Sequence, residues 1–161
     1  MSVTADIRAT YRGPGRIMAE LLARGPREDR ALAFLMAFCI IMFVAQLPRL
    51  SREAHLNGDD LNMLMGATLL AWVIIAPLLL YIIAGGSHLV LRLMGTTISG
   101  YGARLALFWS LLATTPALLL HGLVAGFIGQ GPGLQIVGFV WFALFVWFWA
   151  SCLRQAARHV T

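Results

Sequence analysis

Four apolar runs dominate the chain, and its polar residues gather before and between them. The first run, residues 31–48, holds 18 positions without a charge. At about 1.5 Å per residue it just meets a hydrocarbon core of about 30 Å. The second stays apolar from about residue 61 to 94. That is too long for one crossing and too short for two with a turn between them. The pattern predicts one long helix, kinked at Pro77, whose last turns carry His88 and Arg92 on one face and project past the bilayer. The third run is residues 104–128, with Thr114-Thr115-Pro116 at its middle, and the fourth is 134–153. Trp141, Phe142, Phe145, Trp147, Phe148 and Trp149 crowd the second half of the fourth run, the composition of a membrane–water interface.

Before the first run, residues 4–24 read as two short helical pieces. Thr4 is placed to cap the first, with Asp6 in its first turn. Gly13-Pro14-Gly15 interrupts, and Gly25-Pro26 ends the second piece. Ile17, Met18, Leu21 and Leu22 give that second piece one apolar face, with Arg16, Glu20 and Arg24 elsewhere. A basic amphipathic helix beside a span is expected on the bilayer surface. Arg12, Arg16 and Arg24 would then face anionic headgroups. Between the first two runs, residues 49–60 read as a solvated loop, with Asn57-Gly58 as its turn and Asp59 as the cap of the next helix. The predicted fold is all-α: a polytopic membrane protein of four transmembrane helices with a short N-terminal amphipathic helix. Residues 1–30 form the basic cytoplasmic N-terminal segment, 31–153 the membrane domain and 154–161 a basic cytoplasmic tail.

Composition agrees. The chain is 60% apolar and 12% charged, against about 25% charged in soluble domains. Residues 1–30 lack the apolar core of a secretory signal, so the first span is expected to direct insertion and to be retained. All twelve basic residues are arginine, which reads as the codon bias of a GC-rich, bacterial genome. Six arginines precede the first run, Arg92 and Arg104 flank the middle hairpin, and Arg154 and Arg158 lie in the tail. Against these ten, only Arg49 and Arg52 lie on the other side. The positive-inside rule then places both termini in the cytoplasm, in the bacterial inner membrane. The same placement points the charge at lipid, with no nucleic acid as partner.

Candidate chemistry is sparse. Cys39 and Cys152 lie inside apolar runs without metal spacing and read as small buried residues. His55 with Glu53, Asp59 and Asp60 has no diagnostic spacing. No acidic residue falls within a span core, and His121 is the one clear intramembrane ionisable group. It reads as a neutral packing residue bonded to a carbonyl or hydroxyl of a neighbouring helix, such as Thr68 or Ser110. Pro116 bends its helix and frees the carbonyl of residue 112, which a threonine hydroxyl can satisfy. Gly122 and Gly126 form a GxxxG face for close helix approach. No catalytic, cofactor or metal site is expected.

Residues 95–102, GTTISGYG, read as a cytoplasmic hairpin with Tyr101 at headgroup level. Several landmarks follow one another here. They are a basic N-terminal segment with YRGP at 11–14, a charged boundary and first span, a long second span, and Gly100-Tyr101 just before a third span with a central proline. In that order the chain resembles the Yip1 family of multi-pass membrane proteins, in particular its small bacterial members. Gly100 and Tyr101 match the family's Gly-Tyr. The family typically has five spans and this chain reads as four, so partner binding through a fifth does not carry over. The resemblance implies a non-catalytic membrane scaffold, organiser or assembly factor. Its partners would be the anionic bilayer and other membrane proteins or a second copy of itself. The alternative is an accessory subunit of a larger respiratory or photosynthetic membrane complex; a small transporter or an enzyme ranks below both.

Overall fold

The N-terminal segment forms two short helices, but the break between them falls at residues 11–13, so Pro14 and Gly15 of the expected interruption open the second helix instead. In the computed structural model, which describes residues 3–158, α1 is Val3–Thr10 and α2 is Pro14–Ala23. Thr4 lies inside α1 rather than capping it. Helix α2 starts with proline in its first turn, where a missing N–H costs nothing.

The first apolar run lies in α3, Glu28–Asn57. The helix does not stop at Pro48; it continues for nine residues, so most of the expected 49–60 loop is helical. An interior proline costs about 3 kcal/mol by itself, but here its neighbourhood is packed, since the backbone of Pro48 lies against Gly126 of a later helix. Only Gly58–Asp60 remains as a turn. Gly58 ends α3 in the left-handed region at φ 75°, a conformation that suits glycine. Asp60, not Asp59, caps α4 (Leu61–Leu70) by accepting from the Asn62 amide.

The second run is one continuous helical stretch of 33 residues, Leu61–Leu93. After α4 it passes through a π-helical turn, Ala71–Ile75, into α5, Ala76–Leu93. The expected disturbance at Pro77 therefore takes the form of a widened turn just before it, where one extra residue loosens the ladder that the proline ring would otherwise strain.

The third run divides into α6, Gly100–Ala113, and α7, Thr115–Phe127, bent by 47° at Thr114. Pro116 sits in the first turn of α7. Helix α8, Pro132–Arg158, extends the fourth run into residues 154–158 of the expected tail; residues 159–161 lie outside those described. Among the described residues there is no strand. Three stretches, Glu28–Asn57, Leu61–Leu93 and Pro132–Arg158, are each long and apolar enough to cross a membrane, and the bent pair makes a fourth if it counts as one span.

Helix α6 is the axis of the molecule. From Tyr101 to Ala113 every residue but Arg104 is buried. A helix apolar on all sides belongs in an interior, and α3, α5, α8 and α1 all pack on this one. Trp109, Phe108 and Leu105 are fully enclosed, with Phe34 and Tyr81 ring-to-ring against Trp109 and Phe108.

The N-terminal helices belong to this core, which corrects the expectation for residues 14–24. Ile17, Met18, Leu21 and Leu22 are buried, and α2 packs on α8. The apolar face that a bilayer was expected to cover is covered by the protein. Thr10 accepts a hydrogen bond from the Trp109 indole at 3.2 Å and donates to the Asp6 carbonyl at 2.8 Å. The Tyr11 ring meets Phe148 edge-on at 5.0 Å. These contacts fix the end of α1 and the turn after it to the second halves of α6 and α8.

Candidate functional site

The alternating helices give the bundle two unlike ends. The Glu28–Arg104 ion pair ties the starts of α3 and α6 together at one end. The C-terminal ends of α5 and α8, with α1 and α2, lie there too. Ten of the twelve arginines belong to the segments that meet at that end or lead into it, and Arg49 and Arg52 to the last turns of α3 at the other.

At the sparse end Arg52 is spent on the fold. Its Nη1 donates to the Gly126 and Phe127 carbonyls at 3.3 and 3.1 Å, satisfying acceptors left open at the end of α7. Its guanidinium lies against Gly129, whose φ is 87°. No sequence signal marks this cap, because the partners are more than seventy residues apart. The expected GxxxG face lies just above it. Gly122 sits on the Ala45 carbonyl and Gly126 on Pro48, so α3 and α7 meet backbone to backbone.

Pro116 leaves the Leu112 carbonyl without a helical donor, and the Thr115 hydroxyl takes it at 2.8 Å. Thr114 does the same for Leu111 at 2.9 Å. His121 bonds neither Thr68 nor Ser110, which corrects the expectation. The Ser110 hydroxyl is turned to Ala106 of its own helix at 2.6 Å, while the His121 ring lies beside Gly138 of α8, where a missing side chain leaves room.

At the arginine-rich end, Ser99 caps α6 by accepting from the Gly102 amide at 3.0 Å. His88 reaches the Ile98 carbonyl at 3.1 Å, pinning the hairpin. A side chain at Gly100 would begin within 4 Å of both His88 and Arg104. Tyr101 is 9% exposed, and its hydroxyl has no partner among the described residues. It is therefore packed into the protein rather than standing at a surface, because α6 begins inside the bundle. Nearby, Arg27 and Asp29 form an exposed pair at 2.8 Å. Their hydrogen bond is the main cause that holds the Arg27 guanidinium above its ordinary range.

The three arginines singled out from the sequence are exposed at this end. Arg12 lies in the turn between α1 and α2. Arg16 is on the outer side of α2, bonded through Nε to Glu20 at 3.2 Å, and Arg24 is the residue that ends α2. Arg12 and Arg16 share a cleft of about 680 Å³ between α1 and α2 with Arg8, which the sequence reading did not single out. No sequence signal joins the three, because the helix breaks between Arg8 and Arg16 and the cleft forms only when α1 folds back beside α2. Among the described residues no three His, Cys, Asp or Glu side chains come together as metal ligands.

The fold and its two ends define an all-helical chain whose long apolar helices are capped by arginine on one side. No protein-family model, no curated protein and no solved structure matches it.

Proposed function

We propose that the chain is a four-span protein of the bacterial inner membrane with its arginine-rich end in the cytoplasm, and that it acts as a non-catalytic organiser or assembly factor, as its resemblance to the Yip1 family implies. The observation that carries this reading is the apolar outer surface. Large side chains stand exposed along α3, α5, α7 and α8, among them Ile40, Leu78, Ile82, Leu123 and Phe139, the last 75% exposed. An apolar surface of this extent calls for a cover of lipid or protein, and arginines collect at the ends of the helices that carry it.

In this reading lipid covers the belt, and Arg12, Arg16 and Arg24 meet anionic headgroups at the cytoplasmic surface. The buried face of α2 holds those charges at a fixed place on the bundle, where a free surface helix would let them drift. The organiser's effect is then local: it gathers acidic lipid, and the proteins that prefer it, around a rigid basic end. Native gel migration after mild detergent extraction tests the reading. A monomer or dimer band is expected. Co-migration with a megadalton assembly would replace the organiser with the accessory-subunit reading, in which protein covers the faces of α5 and α8.

A further inference from the structure

The described arginines fall into two groups. Arg16, Arg27, Arg49 and Arg104 pair with Glu20, Asp29, Glu53 and Glu28. Arg30 bonds the Leu21 carbonyl and Arg52 those at the end of α7, and Arg24 and Arg158 are also engaged. Arg8, Arg12, Arg92 and Arg154 have no such partner among the described residues. Two of these four, Arg8 and Arg12, open into one cleft between α1 and α2, and Arg16 opens into it with them. Arg16 gives only its Nε to Glu20, so its two terminal nitrogens remain.

Three like charges within nine residues of chain, Arg8 to Arg16, repel one another, and among the described residues lining the cleft only Glu20 offsets them. The cleft therefore carries two net positive charges. A phosphate monoester carries about −1.5 to −2 at neutral pH and presents three acceptor oxygens. Guanidinium forks match those oxygens two at a time. At about 680 Å³ the space is within the range of small-molecule sites. Helix α2 adds to the field: its cap residue, Gly13, lines the cleft, and no side chain occupies that cap, so the positive end of the helix dipole is open. The walls are held in place, since α1 and α2 are anchored through Thr10 to Trp109 and through Tyr11 to Phe148.

We infer that the α1–α2 cleft is a discrete site for one phosphoryl group, gripped by Arg8, Arg12 and Arg16. The monoester headgroup of phosphatidic acid and a free phosphate monoester offer the same chemistry. The lipid source rests on the membrane reading above; the site itself does not.

The test is calorimetric titration of the full-length protein in neutral detergent, with inorganic pyrophosphate in one arm and short-chain phosphatidic acid in the other. One equivalent is expected to bind, more weakly as salt rises. Arg8→Gln with Arg12→Gln should lower affinity by about tenfold or more, the worth of one or two charged hydrogen bonds. Arg154→Gln, outside the cleft, should leave it unchanged. Arg8→Lys with Arg12→Lys keeps the charge and removes the forks; affinity should still fall severalfold, which decides the matter even if the glutamine pair unfolds. Binding of pyrophosphate alone supports the site with a free phosphate source and removes its link to the membrane reading. Binding of the lipid alone supports it with a lipid source. No binding in either arm, an equal loss in Arg154→Gln, or full affinity in the lysine pair would overturn the inference.

Discussion

At Pro116 a single hydroxyl decides whether a bend is tolerable. The ring removes the donor for the Leu112 carbonyl, and Thr115 replaces it from its own side chain at 2.8 Å. In an apolar surrounding an unbonded carbonyl is expensive. Thr115→Val keeps the shape and removes the donor, so it should lower stability by about 1 kcal/mol, typical of such bonds in membranes. Thr115→Ser should retain most of it. Thermal unfolding in detergent reads the difference; equal stability of the valine variant and the parent would mean that water or a shifted backbone satisfies Leu112 instead. His121 makes the complementary point. The sequence suggests a partner on another helix, but Ser110, one of the two hydroxyls named for that role, is spent inside α6.

Between elements, the closest approach is that of α3 and α7. A methyl added to Gly122 would run into the Ala45 carbonyl, which is backbone and cannot swing away, whereas one added to Gly85 meets nothing within 4 Å. Alanine normally favours a helix over glycine by about 0.5–1 kcal/mol. Gly85→Ala should therefore be neutral or mildly stabilising, and Gly122→Ala destabilising by about 1–3 kcal/mol through overpacking. Matching melting curves for the two would show that α3 and α7 do not pack this way. The glycine pair was legible in the sequence because GxxxG has a period, and the apolar runs were legible because nothing interrupts them. What covers each run was not. In α6 every face is apolar, so no periodicity tells protein from lipid. In α2 the apolar face was read correctly, but an amphipathic helix shows only that one side avoids water. Its cover, α8, lies more than a hundred residues away, and the Trp109 that bonds Thr10 lies 99 residues away. The Pro48 break failed for a related reason: proline's local cost was visible, and the packing around it was not.

For the molecule as a whole, the division of arginine between two ends joins the fold to the proposed function. Helical alternation puts α1, α2, the α5–α6 hairpin and the end of α8 together, and with them ten of the twelve arginines. In the proposed arrangement a bilayer covers the apolar belt, that end faces the cytoplasm and the Gly58–Asp60 turn faces the other way. Paired reporter fusions test this most directly, one at the C-terminus and one in the Gly58–Asp60 turn, each carrying either a reporter active only in the cytoplasm or one active only outside it. The C-terminal fusion is expected to work only with the cytoplasmic reporter, and the turn fusion only with the external one. A C-terminus active outside the cytoplasm, or both sites on the same side, would contradict the four-span arrangement and the cytoplasmic placement of the arginine cleft together.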